Sequence, residues 1–528
     1  MEYGKDEVEQ FGTSLRMVAK TSFIVFIGIF VSKLFTYIYR IIVAREFGPE
    51  TYGVFSLAIV ISGWFIAISA LGLSEGLLRY IPLYRAKNDV NRVRYVFKIA
   101  LVTLTISSII AGAILFFCSE FIALTIFKNQ DLIFFLKVSS IIVPATLISS
   151  PFLGTIRAYE KISLHSLIFN IFQMLTKTML LIILIIIGLG KDAIIISYTL
   201  GMIALLAFSY LACKYTIPEV FEKVKLNKKQ KRKVRVQLFN YSIPLLFSSF
   251  ILILFYWIDT FSIGYYKSAI EVGFYNAAVP IAMLLAITPE LFMQLFYPLI
   301  NKEYSRGNNV LIKELSKQVT KWIFVINLPI FILLIMFPGA ALNILFGPEY
   351  LVAENALRIL VVGSLISSVF IVSTQLISMI GKSKLVLLNM TLAFVLNFLL
   401  NSVLVPMERI WFIENSAGIN GAAIATVISI LFLNALFFIQ SKKYLQFIFL
   451  RRKMLNIFLA SIIPLASLIY LKELIQINML SLTLMVIIFG IFYIALVILF
   501  GGLDKNDFMI INSMKNRFFK GIGKFKSG

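Results

Sequence analysis

The chain has 528 residues, of which 60% are hydrophobic and only 14% charged. This composition, with a mean hydropathy of +0.92, excludes an ordinary soluble domain. The 49 lysines and arginines outnumber the 26 acidic residues and give a formal net charge of +23. A charge this large suggests nucleic acid as a partner, unless the positions of the basic residues explain the charge in another way.

Apolar runs of roughly 20 residues recur along the chain, and each is long enough to cross a bilayer as a helix. We therefore predict an all-α, polytopic membrane protein with about fourteen transmembrane helices. The predicted spans lie near residues 18–44, 52–73, 95–118, 134–156, 164–187, 194–215, 238–265, 274–299, 319–342, 357–380, 385–405, 421–441, 454–471 and 480–500.

A basic stretch, KVKLNKKQKRKVR from Lys223 to Arg235, separates the first six spans from the other eight. Adding 220 to the residue number matches Gly53 with Gly273 and three further pairs, which indicates an internal duplication; chance similarity of apolar sequence is the alternative. The predicted organisation is an N-lobe (1–215), a cytoplasmic connector (216–237), a C-lobe of six spans (238–444), and two more spans with a basic tail (445–528).

Lysine and arginine are unevenly distributed between the two sides of the membrane. In the predicted topology, 37 of the 49 lie in segments on one side and 8 on the other. The positive-inside rule then places both termini in the cytoplasm and accounts for most of the charge without nucleic acid. The connector and the tail are expected to be solvated topology determinants, with contact to anionic headgroups as the alternative.

Four cations, among them Lys98 in span 3, lie inside predicted spans, where a charge costs about 3 kcal/mol at mid-bilayer. Lys33 and Arg40 share one face of span 1, and Lys177 ends a polar stripe in span 5 that includes Asn170 and Gln173. We predict that they bind an anionic substrate. For Arg40 the alternative is a side chain that extends to the interface, and for the stripe it is interhelical hydrogen bonding.

Two acids also lie inside spans, Asp259 in span 7 and Glu290 in span 8. Each is a candidate counter-ion for Lys33 or Lys177, or a proton or sodium site that couples transport to an ion gradient. Uncharged amides on one face of span 11 accompany them: Asn389, Asn397 and Asn401.

Motifs for covalent chemistry are missing from the sequence. His165 is the only histidine, so a histidine triad or metal site is not expected. The chain also lacks a GxxxxGK phosphate loop. We predict a protein that is not an enzyme and has no cofactor or metal, apart from Na+ or H+ as a coupling ion.

Three stretches resemble the polysaccharide transporter branch of the multidrug/oligosaccharidyl-lipid/polysaccharide flippase superfamily. They are REFGPETYGVF at 45–55, LGLSEGLLRY at 71–80 and GINGAAIAT at 418–426. The resemblance implies two six-helix lobes around a cavity that flips a polyprenyl- or dolichyl-pyrophosphate-linked oligosaccharide across the cell membrane by alternating access. Arg45 and Arg79 lie within these stretches and are added to the substrate-binding candidates.

The partners implied are the lipid-linked oligosaccharide, membrane lipids and possible polysaccharide-assembly proteins. Within the superfamily, the alternative is a cation-coupled multidrug exporter, which usually has twelve spans. Outside it, the alternatives are a membrane polymerase, which normally has a large outer loop, and a scaffold for polysaccharide assembly.

Overall fold

The computed structural model describes residues 5–474, 479–503 and 507. The C-terminal tail predicted from Lys505 to Lys526 lies outside this range, apart from Asp507. The α-helices are α1 (Lys5–Ser69), α2 (Leu73–Arg85), α3 (Val90–Phe121), α4 (Asp131–Ser139), α5 (Ile142–Ala158), α6 (Ile162–Ser166), α7 (Gln173–Ile186), α8 (Asp192–Thr216), α9 (Lys228–Tyr266), α10 (Ala269–Ala282), α11 (Leu284–Ser305), α12 (Asn309–Met336), α13 (Pro338–Leu345), α14 (Glu354–Met379), α15 (Ser383–Leu404), α16 (Ile419–Leu445), α17 (Lys453–Leu474) and α18 (Met479–Leu499).

The other regular elements in the described part of the chain are short. Two strands form an antiparallel pair with Arg409 opposite Glu414. The complete set is two π-helical segments (Ile122–Ile126 and Leu167–Phe172), two 3-10 segments (Pro218–Phe221 and Pro348–Ala353), β1 (Arg409–Ile410) and β2 (Ile413–Glu414).

The predicted all-helical polytopic membrane fold is confirmed. Within the described residues, twelve helices are long and apolar enough to cross a membrane, and two shorter apolar helices, Ala269–Ala282 and Thr483–Leu499, accompany them. The first of the twelve covers predicted spans 1 and 2, which are two helical arms that meet at a kink: Gly48, between them, has non-helical backbone angles, with φ at 75°. Glycine adopts this angle at little cost, and Pro49 then starts the second arm of α1.

A proline interrupts predicted span 8. Span 8 is divided into α10 and α11 at Met283, three residues after Pro280. A proline has no N–H, so the carbonyl four residues earlier loses its intrahelical donor. For Pro280 that carbonyl belongs to Asn276, and the Tyr52 hydroxyl donates to it at 3.0 Å. The Tyr37 hydroxyl donates to the carbonyl of Pro280 itself at 2.7 Å. Two tyrosines of α1 therefore supply hydrogen bonds to carbonyls at the break between α10 and α11.

The helix of predicted span 7 begins ten residues earlier than expected. Asn227 accepts from the backbone N–H of Gln230 at 2.8 Å, and the Gln230 side chain accepts from the N–H of Asn227 at 3.1 Å. This reciprocal cap starts α9 at Lys228. Because lysine, arginine and glutamine favour helices, α9 carries most of the basic connector in its first turns.

Glycines allow α1 and α10 to approach closely. A Cβ on Gly53 would lie 1.7 Å from the carbonyl oxygen of Ala269, and one on Gly273 would lie 1.9 Å from that of Pro49. Both pairs, Gly53 with Gly273 and Pro49 with Ala269, are 220 residues apart. The two contacts are therefore equivalent: Gly53 meets Ala269 as Gly273 meets Pro49, which is the pattern that a two-fold axis produces. This equivalence is consistent with the predicted duplication at these positions.

The residues group into two compact units. The first consists of Met1–Ile281, Gly339–Ile359 and Leu387–Ser429, and the second of Ala282–Pro338, Leu360–Val386 and Ile430–Gly528. In the first unit, α8 packs on α5 and α7, and α1 packs on α9. In the second, α12 packs on α11 and α17. The division into an N-lobe and a C-lobe stays a prediction.

Candidate functional site: a cationic cavity and a buried carboxylate

Lys177 lies in α7, and its side chain is only 2% exposed. Its stem packs on Gly201 of α8, where a Cβ would lie 2.3 Å from Lys177 Cγ. The ammonium is 3.7 Å from the centre of the Tyr198 ring, a cation–π distance. When the oxygen and nitrogen of the Gln173 amide are exchanged, the nitrogen donates to the carbonyl of Phe169 and the oxygen accepts from Lys177 Nζ at 3.1 Å. Among the described residues, no carboxylate lies within 4.0 Å of this ammonium.

Arg40 of α1 and Lys177 line the same cavity, which has a volume of about 80 Å³. Arg40 Nη1 is 3.5 Å from the hydroxyl oxygen of Tyr52, so the tyrosine that satisfies α10 also contacts the arginine. The lining contains no carboxylate and is mostly aromatic, hydroxyl and apolar. Its remaining members are Thr36, Tyr39, Phe55, Ser56, Ile59, Met174, Thr178, Tyr198, Trp257 and Asn276.

Lys177 also lines a second, more open cleft of about 500 Å³ in the same unit. Arg157 adds a cation to its wall, His165 adds an imidazole, Gln173 adds an amide, and Glu75 is its one acid. The lysine therefore separates a small cation-lined cavity from a larger cleft. An anionic group in either space would meet a cation in surroundings where electrostatic attraction is stronger than in water.

Lys33 and Asn170 lie on the faces that the sequence predicted but line neither space. Lys33 is exposed, one turn before Tyr37 on α1. Asn170 is half-buried and donates to the Ser166 hydroxyl at 3.0 Å. At Ser166 the stripe meets α1, because a Cβ on Gly28 would lie 2.3 Å from its hydroxyl oxygen.

The structure places Arg45 and Arg79 away from these two spaces. Arg45 Nε donates to the carbonyl of Leu345 at 3.0 Å, and Nη2 donates to that of Asn343 at 3.2 Å. It thus satisfies carbonyls at the C-terminal end of α13. The Arg79 guanidinium lies 4.2 Å from the centre of the Tyr241 ring. Both arginines have local structural partners.

Asp259 of α9 is buried and accepts hydrogen bonds from four uncharged side chains. Tyr275 donates to Oδ2 at 2.8 Å. Asn401 and Asn397 of α15 donate to Oδ1 at 2.8 Å and 3.4 Å. The hydroxyl of Thr426 in α16 also donates to Oδ2. Three helices, α10, α15 and α16, therefore direct donors to one carboxylate of α9 inside the first unit.

The cluster around Asp259 retains an unused acceptor. Asn401 Oδ1 is buried without a hydrogen-bond donor, beside a carboxylate that is not paired with any lysine or arginine in the described residues. The direct ion pair with Lys33 or Lys177 that the sequence allowed is thus not formed at Asp259. Glu290 is half-buried in α11 and belongs to the second unit.

Sequence reasoning missed the aromatic residues that shape the cavity and the convergence of four donors on Asp259. Tyr52, Tyr198 and Trp257 have no spacing that distinguishes them from other membrane aromatics. The amide face of span 11 was recognised, but its contact with Asp259 was not. Thr426 closes the GINGAAIAT stretch, which was the one available signal.

The arrangement was then compared with known proteins. A family model described as "Polysaccharide biosynthesis protein" matches residues 18–303, more than half of the chain. The chain belongs to this family. The resemblance to the polysaccharide transporter branch of the flippase superfamily is thereby confirmed. A second model, MatE, matches residues 244–403.

Two curated relatives of this chain are archaeal. One is the uncharacterized membrane protein MJ1068 of Methanocaldococcus jannaschii, 23% identical over 89% of this chain and 92% of the relative. The other is the probable low-salt glycan biosynthesis flippase Agl15 of Haloferax volcanii, 24% identical over 46% of this chain and 47% of the relative.

Solved structures share the fold at low sequence identity. The lipid II flippase MurJ in an inward closed conformation superposes with a TM-score of 0.65 at 15% identity, over 89% of this chain and 97% of that one. An inward-facing multidrug resistance MATE transporter gives 0.60 at 14% identity, over 79% and 94%. The chain therefore has the fold that these two solved structures share.

Proposed function

We propose that the protein flips a polyprenyl- or dolichyl-pyrophosphate-linked oligosaccharide from the cytoplasmic to the outer leaflet by alternating access. The observation that carries the proposal is the burial of Lys177, without a carboxylate partner, between a cavity that it shares with Arg40 and a larger cleft. A pyrophosphate is the group that such cations suit, because ionised phosphate oxygens form strong charge-assisted hydrogen bonds with ammonium and guanidinium groups. Its family and a relative named as a glycan biosynthesis flippase are consistent with this substrate class.

In this mechanism the two cations have different tasks. Arg40, fixed by Tyr52, can offer a planar pair of donors to one phosphate. Lys177 is a compact charge whose stem is held by Gly201, and it can meet the second phosphate. The lipid chain would remain in the bilayer. No bond of the substrate is made or broken, so the activity is transport.

We further propose that Asp259 couples flipping to an ion gradient. A carboxylate next to the unpaired Asn401 oxygen offers oxygen ligands to Na+, and the same carboxylate could instead take up a proton. The four donors hold the carboxylate when the ion is absent. Glu290 of α11 is the second candidate for the coupling ion.

A cation-coupled multidrug exporter is the second candidate function, favoured by the MatE match to residues 244–403. The charge of the cavity opposes it. An organic cation in the small cavity would meet Arg40 and Lys177 and no carboxylate. The two functions differ in a simple assay, because only an exporter raises the resistance of a host strain to cationic drugs.

The predicted orientation, with both termini cytoplasmic, completes the proposal. The test is complementation of a strain that lacks its lipid-linked oligosaccharide flippase, read as lipid-linked sugar in the outer leaflet. Rescue by the wild type and loss with Lys177→Gln are expected. Failure of a normally expressed wild type to restore outer-leaflet substrate, combined with drug resistance, would establish the exporter instead.

A further inference from the structure

The second unit contains a basic cleft that is separate from the site described above. It has a volume of about 740 Å³ and lies where the first turns of α12, the end of α16 and the segment 446–453 come together. Six cations line it: Lys313, Lys317, Lys442, Arg451, Arg452 and Lys453. Glu314 is the one acid in the lining.

The segment 446–453, which carries three of the six cations, is fixed by its aromatic residues. Phe447 and Phe449 are buried in a hydrophobic cluster that includes Phe296 and Ile312. The side chain of Ile448, between them, is exposed. This alternation is that of an extended segment with one face in the core. The basic residues that follow are therefore presented from an anchored backbone.

Arg451, which lines the cleft, belongs to a polar network that includes buried side chains. Arg451 Nη1 donates to the side-chain oxygen of Gln318, and the nitrogen of Gln318 donates to Asp507. Asp507 also pairs with Lys321, and both side chains are fully buried. Arg451 is thus oriented by neighbours that themselves have fixed positions, which is the preorganisation that a binding site needs.

The charge of the cleft is not balanced by the residues that line it. Glu314 Oε1 lies 3.3 Å from Lys317 Nζ, so the one lining acid already has a partner. Lys313, Lys442 and Arg452 form no salt bridge among the described residues. Like charges that are held together raise the potential of a concave surface and favour an anion there.

An apolar surface begins next to the cleft. Starting at Lys453, α17 exposes a row of large apolar side chains, as expected of a helix face that contacts lipid: Leu455, Phe458, Leu459, Ile462 and Ile463. A ligand that carries a phosphate on an acyl chain would place its anion in the cleft and its chain along α17. A free phosphate would bind in the cleft but would not contact α17.

We propose that this cleft binds the phosphate headgroup of an anionic membrane lipid. The cations hold the phosphate at the level where the helices leave the bilayer, and α17 holds the chains. The site belongs to the second unit and uses none of the residues assigned to substrate or coupling ion. It therefore stands or falls independently of the proposed flippase activity.

The test measures thermal unfolding of the purified full chain in neutral detergent as phosphatidylglycerol, phosphatidylcholine or inorganic pyrophosphate is added. We expect stabilisation by phosphatidylglycerol alone. The double variant Lys442→Gln/Arg452→Gln should bind it about 25-fold more weakly, since each surface cation contributes about fivefold. Glu314→Gln, which removes the lining acid, should bind it more tightly, by up to about fivefold. The matched control, Lys229→Gln/Arg232→Gln in α9, loses the same charge elsewhere and should bind normally.

Each other outcome contradicts the proposal. Equal weakening in the control pair would show general attraction to a basic protein. Protection by pyrophosphate as strong as by phosphatidylglycerol would make the ligand a soluble phosphate. If the double variant does not fold, Glu314→Gln decides alone, because unchanged affinity in that variant would mean that the anion does not enter this cleft.

Discussion

The proposed substrate site is tested most directly by replacing Lys177. Lys177→Gln keeps a polar side chain that can still contact Gln173 but removes the charge. Lys177→Met keeps an unbranched stem that fits against Gly201 and removes both the charge and the polar head. The two variants separate binding of an anion from packing, since methionine suits a buried site better than an amine does.

The magnitude follows from the surroundings of the ammonium. Because the side chain is 2% exposed and no carboxylate contacts it in the described structure, a substrate phosphate would be its principal ionic partner. Losing one hydrogen bond to a charged group costs about 1.5–3 kcal/mol, or roughly 10- to 150-fold in rate. We expect flipping to fall by that factor in both variants. Lys177→Arg should retain more activity than Lys177→Gln, without reaching the wild-type rate, because the guanidinium differs in shape.

The assay is flipping of a fluorescent lipid-linked oligosaccharide in proteoliposomes, with thermal unfolding of the same preparations. Lys177→Met should unfold at or above the wild-type temperature while flipping slowly. Lys98→Gln serves as the control, because Lys98 is exposed on α3 and lines neither space. Wild-type flipping by well-folded Lys177→Gln and Lys177→Met would refute the assignment and make the lysine a structural residue.

Three further predictions concern the other features. Asp259→Asn should lower flipping at least tenfold and abolish its dependence on a sodium or proton gradient; a variant that keeps this dependence would move the coupling site elsewhere. Gly53→Ala or Gly273→Ala should reduce the yield of folded protein, since a Cβ would overlap a backbone carbonyl, and detergent-solubilised monomer measured by size-exclusion chromatography checks this; normal yield of either would show that the helices can separate. A tag after Lys228 should be cytoplasmic and one near Gln130 external in protease-accessibility experiments, and the opposite labelling would reverse the proposed direction of transport.

Hydropathy was sufficient to locate the helices, because a bilayer requires continuous apolar runs and satisfied backbone groups. Each of the fourteen predicted spans falls on a helix or on a pair of helices. Their interruptions were harder to predict. Gly48 separates the two arms of α1 by a kink without an intervening loop, and the region of Pro280 separates α10 from α11. A proline was visible in the sequence, but the tyrosine hydroxyls that stabilise the break come from residues more than 200 positions away.

The candidate site was partly predictable for a similar reason. Helical spacing placed Gln173 and Lys177 on one face, and the structure brings Lys177 and Arg40 to one cavity. Spacing within a helix does not say which helices meet, so the contact of Thr426 with Asp259 could not be predicted. Nor does residue type alone decide a role. Arg45 lies in a family-like stretch, yet it satisfies helix carbonyls instead of lining the cavity.

The reciprocal contact of Gly53 and Gly273 has a consequence for how such a chain could have arisen. Before duplication, two copies of a shorter chain related by a two-fold axis would have met there, and a single glycine codon would have supplied both sides of the contact. After fusion, each glycine is encoded separately, so a mutation can damage one side only.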